Sequence, residues 1–380
     1  MAFILETADL AGAGFRTDQI ERMSKLIEGH IAEGRYPGAQ VALARHGKLA
    51  FARNYGLARI APAMPARDEV VWRLYSNTKV ITAAAIWALV EEGALSFNDR
   101  VAEHIPEFAR FGKGDITIHQ VLTHQAGFPN APVMPPESWE DHQLLRRLVC
   151  DYTLEWTPGT RLHYHSYSAH WVLAIIIEAI AKMDFRRFIR ERVIAPLGLE
   201  NEMFVGMDEA DQRRCAEIYE PAKDGKSQEP IAAENTVAYR RAGVPSGGGF
   251  ATARAMAAFY QVLLAGGTLH GRRLVSPRMV QYVTRNFTGE RPDAGMGGIP
   301  MHRGLGPHSR GTSEVIRGLG SLAHPDTFGH GGVGSSYCWA DPNSGVSFAY
   351  ITNSKIPDPW HSRRLELISN CVHAAIENVG

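Results

Sequence analysis

Strand-type alternation of apolar and polar residues is confined to the two ends of this chain, and the stretch between them reads as helices and turns. From Gln40 the run VALARHGKLAFARNYGLA alternates, with His46-Gly47 as the turn of a β-hairpin. Near the other end, Ser336 to Ala340 and Val346 to Thr352 read as strands joined by the turn Asp341, Pro342, Asn343, Ser344, Gly345. The simplest architecture that uses both ends is one sheet flanked by terminal helices, with a helical lobe inserted, an α+β fold. One terminal helix is expected from Thr17, as N-cap, to Glu33 (Ile20, Met23, Leu26, Ile27, Ile31), ended by Pro37-Gly38. The other runs from about Trp360 to Asn378 on Leu365, Leu367, Ile368, Val372, Ala375 and Ile376. Helical patterns between them cover Ile118 to His124, His142 to Asp151, Ser168 to Lys182, Phe185 to Val193 and Thr252 to Leu264. No repeat or linker divides the chain, so residues 1–380 read as one domain. The sheet lobe takes about 1–75 and 290–380, and the helical lobe about 76–289.

Composition narrows the function classes. With 380 residues and 45% hydrophobic content, the chain can build a large core or two lobes around a cleft. Lys plus Arg and Asp plus Glu are both 40, so no basic field recruits nucleic acid. The opening MAFILETADL has a four-residue apolar run and no basic region before it, unlike a secretory signal, and no stretch reaches membrane-spanning length. The cysteines Cys150, Cys215, Cys338 and Cys371 are scattered, with neither a disulfide framework nor a Cys-x-x-Cys motif. A reducing cytoplasm is the expected compartment.

Three short constellations carry chemistry. Ser76-Asn77-Thr78-Lys79 sits where an extended-looking run (Val70, Val71, Trp72, Leu74, Tyr75) gives way to a helical one. Residues three apart on a helix share a face, so the Lys79 amine can reach the Ser76 hydroxyl in the field of the positive helix end. The same tetrad also describes an N-cap followed by a solvated lysine, and about one Ser-x-x-Lys is expected by chance in an ordinary chain. WTPGTRLHYHSYSAHW leaves Tyr164, His165, Ser166 and Tyr167 at the approach to an apolar helix. Tyr164 is a candidate base if positive charge lowers its pKa, with Tyr167 a competing choice. His330-Gly331-Gly332-Val333-Gly334 lets backbone approach a ligand closely, as half of an oxyanion hole does, or makes a tight turn into an edge strand. His163, His165 and His170 lack the partners of a zinc motif, and there is no His-Glu-x-x-His, phosphate loop or Gly-x-Ser-x-Gly.

Taken in order, Ser76-x-x-Lys79, Tyr164-x-Ser166 and His330-x-Gly332 resemble the class C β-lactamase and penicillin-binding-protein superfamily, and look most like the family VIII carboxylesterases. WRLYSNTKVITAAAIWALVEEGALSFNDRVAEHIPEF, ITIHQVLTHQAG, PGTRLHYHSYSAHW and FGHGGVGSSYCWADPNSGVSFAYITNS are similar to stretches of that family. The resemblance implies a β-lactamase/transpeptidase-like antiparallel sheet. It implies Ser76 as acylated nucleophile, Lys79 as its proton-transfer partner and Tyr164 as base and then acid, and leaves open which of Lys79 and Tyr164 takes the first proton. The backbone N–H groups of Ser76 and Val333 would form the oxyanion hole, with Ser166, His330, Gly331 and Gly332 binding substrate. No cofactor or metal is implied. Lactamase and peptidase members carry Tyr-x-Asn and Lys-Thr-Gly; Ser166 and His330 stand in those places here. That moves the expectation toward a small neutral ester and away from anionic β-lactams. Lactamase, amide hydrolase, acyltransferase or a non-catalytic binding relative are the alternatives.

Overall fold

In the computed structural model, which describes residues 3–225, 227–314 and 318–379, ten elements frame the molecule. They are α1 (Thr17–Ala32), β1 (Gly38–Arg45), β2 (Lys48–Arg59), α2 (Thr78–Glu91), α3 (Ser168–Ala181), α4 (Ala253–Leu264), β3 (Phe328–Gly331), β4 (Tyr337–Asp341), β5 (Val346–Thr352) and α5 (Trp360–Ala375). The sheet runs β2-β1-β5-β4-β3, all antiparallel, so the two chain ends meet at the β1–β5 pair, where Leu43 faces Phe348. Short strands extend both edges. Glu6–Thr7 pairs with β2 in parallel, the one departure from an antiparallel sheet among the described residues, and His308–Ser309 pairs with β3. The His46-Gly47 turn places both residues at positive φ (48° and 78°), the geometry a two-residue hairpin demands.

Side-chain size differs between the sheet's faces, and this decides what packs where. Val41, Leu43, Tyr337, Trp339, Phe348 and Tyr350 point toward α1 and α5 and form one core with them. The opposite face presents Ala42, Ala44, Cys338, Ala340 and Ala349, small enough for α4 to lie against the strands. Gln261 on α4 fastens that contact. Its amide nitrogen reaches the Ala44 and Gly345 carbonyls and the Ser347 hydroxyl (3.0–3.1 Å), and its oxygen accepts from Gly47 N–H at 2.8 Å. Each such buried bond contributes about 0.5–1.5 kcal/mol net.

Several local expectations are revised. Thr17 is the first helical residue and not the cap; Arg16 precedes it without a side-chain cap bond. Only Trp72–Arg73 of the Val70–Tyr75 run is a strand. It pairs with Gly249–Ala251, which also pairs with Met203–Val205, so a small sheet lies within the mainly helical middle. Phe185 to Val193 divides into Phe185–Ile189 and a wider π-type turn. His330 and Gly331 end strand β3, which is flanked on both sides, and Gly332 to Gly334 form the turn after it. Thr252 caps α4 by accepting from Ala255 N–H, and the Thr117/Gln120 capping box opens the helix Ile118–Leu122.

Candidate active site

Ser76 lies in a single 3-10 turn, Tyr75–Asn77, that runs straight into α2, and so just ahead of the α-helix proper. Helix α2 is apolar almost all round and buried from Thr78 to Leu89, so a lysine in its first turn is carried into the interior between the lobes. Lys79 is fully buried. Its Nζ lies 3.1 Å from Ser76 Oγ and donates to the carbonyl oxygens of Ser166 (2.8 Å) and Ser246 (2.9 Å). Tyr164 Oη donates to the same Ser76 Oγ at 2.8 Å, and Lys79 Nζ sits 5.0 Å from the Tyr164 ring centre. Tyr167, by contrast, is 40% exposed on the cleft wall, and it is Tyr164 that bonds the serine.

The turn before the serine is held under constraint. Tyr75 adopts φ 49°, a conformation that costs a non-glycine residue about 1–3 kcal/mol. Its ring packs under the Arg73 guanidinium at 4.0 Å and its hydroxyl donates to Glu234 at 2.6 Å; Glu234 also pairs with Arg73. On the other side Asn77 Nδ2 donates to Ser336 Oγ, which donates to the Leu74 carbonyl, both at 2.8 Å. These bonds tie the Ser76 turn to the β3–β4 connection. Gly332 makes the approach sterically feasible: a Cβ there would lie 2.5 Å from the Leu74 carbonyl oxygen.

Burial sets the protonation states. Desolvation pushes the Lys79 amine well below the usual lysine value, and the Arg303 guanidinium pushes it further. Desolvation lifts the Tyr164 phenol to about 12, against the lowering effects of its Ser76 hydrogen bond and of Arg303. His330 is buried, and its Nδ1 meets the Gly331 carbonyl at 2.9 Å; since a carbonyl only accepts, Nδ1 carries the proton. Desolvation, followed by neighbouring His308, holds this ring neutral by driving its pKa well below the histidine norm.

Ser76, Tyr164, Ser166, His330, Gly331, Gly332 and Val333 all line one cleft of about 400 Å³, with Lys79 beneath its floor. Val333 is 55% exposed there, and the walls add Tyr75, Met296, Met301 and Leu365. Behind Tyr164, His165 is fully occupied by main chain: Nδ1 bonds the His163 carbonyl and Nε2 accepts from Phe128 N–H. Sequence reasoning missed Ser246, Asp293 and Arg303. Ser246 opens the run Ser246-Gly247-Gly248-Gly249, the same glycine signal that singled out residues 330–334. Asp293 and Arg303 sit in loops without periodicity or motif.

A sheet built from both chain ends, a helical lobe and a serine–lysine–tyrosine cluster at their junction, with the lysine buried, define a serine hydrolase of the β-lactamase fold. The family model described as Beta-lactamase matches residues 23–369, and the chain belongs to that family. It is 28% identical over 347 residues to Esterase/beta-lactamase LipL of Mycobacterium tuberculosis, covering 84% of this chain and 77% of that one. It is 26% identical over 383 residues to a putative D-alanyl-D-alanine carboxypeptidase of Salmonella typhimurium (92% and 86% covered). The crystal structure of a family VIII carboxylesterase superposes with a TM-score of 0.79 at 26% identity, covering 94% of this chain and 99% of that one. Among the described residues no helix is long and apolar enough to cross a membrane.

Proposed function

We propose that the protein hydrolyses small neutral carboxylic esters through an acyl-enzyme on Ser76, in the manner of a family VIII carboxylesterase. The observation that carries this reading is the bracketing of one hydroxyl: Ser76 Oγ lies 3.1 Å from a buried amine and 2.8 Å from a half-buried phenol. A neutral Lys79 amine spends its two N–H bonds on the Ser166 and Ser246 carbonyls, which leaves its lone pair for the serine proton. Tyr164, with its pKa at about 12, enters as a phenol.

The reaction follows from those states. Ser76 Oγ bonds to the ester carbonyl carbon as its proton passes to Lys79 Nζ. The backbone N–H groups of Ser76 and Val333 receive the oxyanion. The carbon–oxygen bond to the alcohol then breaks, and Tyr164 supplies the proton the departing alkoxide needs. Water releases the acid by the reverse sequence, with Lys79 and Tyr164 regaining their starting protonation. Neutral esters are favoured because Ser166 and a neutral, buried His330 stand where lactamase and peptidase relatives carry an amide and an ammonium. The esterase names among the relatives support the same class. The four cysteines are free, which fits a reducing cytoplasm.

A second reading, lactam or peptide-bond hydrolysis at the same serine, has one structural argument: Arg303 is a cation on the cleft wall. The test is a purified-protein panel of short and long acyl esters, a cephalosporin and a D-alanyl peptide, run on wild type and Ser76→Ala. Ester turnover that exceeds the others and falls by several decades in Ser76→Ala is the expected result. Preferred cleavage of the cephalosporin or peptide would replace the ester assignment, and near-wild-type activity in Ser76→Ala would end the whole mechanism.

A further inference from the structure

The charge that faces the Tyr164 ring comes from a loop without a motif. Arg303 lays its guanidinium 4.7 Å from the ring centre and is held by Asp293 Oδ2 through Nη2 (2.7 Å) and Nε (3.2 Å). The other Asp293 oxygen accepts from the backbone N–H of Tyr164 at 2.9 Å and of Gly295 at 3.0 Å, and Ala294 N–H donates to the Leu162 carbonyl at 3.0 Å. The Arg303 and Asp293 side chains are 3% and 0% exposed. One carboxylate therefore bridges the guanidinium and the tyrosine's own main chain, which fixes the cation relative to the phenol.

Resting on the Ser76–Lys79–Tyr164 reading above, we propose that Arg303, clamped by Asp293, is a positioning residue that sets the electrostatic balance of the Lys79–Tyr164 pair. A fixed cation acts on both partners in one direction, since it disfavours an ammonium on Lys79 and favours a phenolate on Tyr164. The first keeps the base unprotonated at neutral pH. The second eases the moment when Tyr164 gives its proton to the alkoxide. The groups facing Tyr164 are Lys79, Arg303, Asp293, Tyr167, His124 at 4.7 Å and His330 at 6.2 Å between ring centres, and those facing Lys79 are Tyr164, Arg303, His124, His170 and His330. Burial drives all three histidines well below their usual pKa, so they stay neutral and leave Arg303 as the permanent cation. Asp293 opposes it at Tyr164, but the guanidinium is the larger influence.

The experiment is the pH dependence of kcat/KM for a short neutral ester in wild type, Arg303→Lys, Arg303→Met and the double variant Arg303→Met/Asp293→Asn. The double variant leaves no unpaired buried charge and retains an acceptor for Tyr164 N–H, so it remains informative if Arg303→Met alone fails to fold. Without the cation, the acid limb set by Lys79 and the alkaline limb set by Tyr164 should both move to higher pH, by about one unit or more. Activity on the acid limb should then fall about tenfold at fixed pH. Arg303→Lys should hold both limbs near wild type. A residue with only a structural role would reduce the fraction of serine titrated by a phosphonate and leave the limbs in place; unmoved limbs in a folded double variant overturn the proposal. Tyr164→Phe and Ser76→Ala run beside it. If they are crippled while the limbs stay fixed, Arg303 alone was misassigned; if they remain active, the underlying site reading fails too.

Discussion

Replacing Gly332 with alanine tests how tightly the Ser76 turn depends on β3. The added methyl would lie 2.5 Å from both the Leu74 carbonyl oxygen and Ser336 Oγ, and 2.8 Å from Tyr75 Cβ. Contacts below 3.0 Å are not tolerated, so the Leu74–Tyr75 backbone must retreat by about 0.5 Å or more. The hydroxyl cannot absorb this by rotating away, because it is already engaged with the Leu74 carbonyl and Asn77. Ser76 moves with the turn, while Lys79 is anchored separately to the Ser166 and Ser246 carbonyls and Tyr164 to Asp293. The 3.1 and 2.8 Å contacts that define the site therefore lengthen together. A misplacement approaching 1 Å costs about a hundredfold in rate, and overpacking costs about 1–3 kcal/mol in stability. Gly332→Ala should lose kcat by one to two decades on a short ester, label slowly with a phosphonate, and unfold at lower denaturant with an unchanged m-value. Wild-type labelling and denaturation midpoint together would refute the idea that β3 braces the turn.

Two further outcomes follow from the same geometry. Because Lys79 and Tyr164 meet on one oxygen, Lys79→Ala and Tyr164→Phe should each cost several decades, and the double variant little more than the worse single one; additive losses in kcat/KM would show that they act in separate steps. Gly29 lies inside α1 with no atom within 4 Å of the place a methyl group would take, so Gly29→Ala should raise unfolding free energy by about 0.5–1 kcal/mol with unchanged esterase activity, a gain that denaturant titration would detect or exclude.

The parts of this protein that announced themselves in sequence are those in which local pattern and final environment agree. Strands β1, β2, β4 and β5 alternate because their two faces meet different helices, and the loop Asp341 to Gly345 carries turn chemistry in its own residues. Ser76 and Lys79 were legible because a helix places residues three apart on one face whatever surrounds it, and Tyr164 because a Pro-Gly turn delivers it to a helix start. The depth of burial was not legible. Nothing about Lys79 as a letter distinguishes a solvated amine from one sealed beneath two carbonyls; that difference comes from α2 being apolar on every side and from the lobes closing over it. Arg303 and Asp293 are further from any local rule: ten positions apart in irregular chain, they become a pair only when the loop containing Asp293 is stitched to Leu162 and Tyr164. A charge set against the Tyr164 ring can thus be invisible to motif reasoning, because its position is specified by tertiary hydrogen bonds and not by periodicity. The same reasoning explains why His330 can stand in strand β3 without supplying charge. Its proton is committed to the neighbouring Gly331 carbonyl and its ring is desolvated, so the work of placing a cation beside Tyr164 falls to a residue elsewhere in the fold.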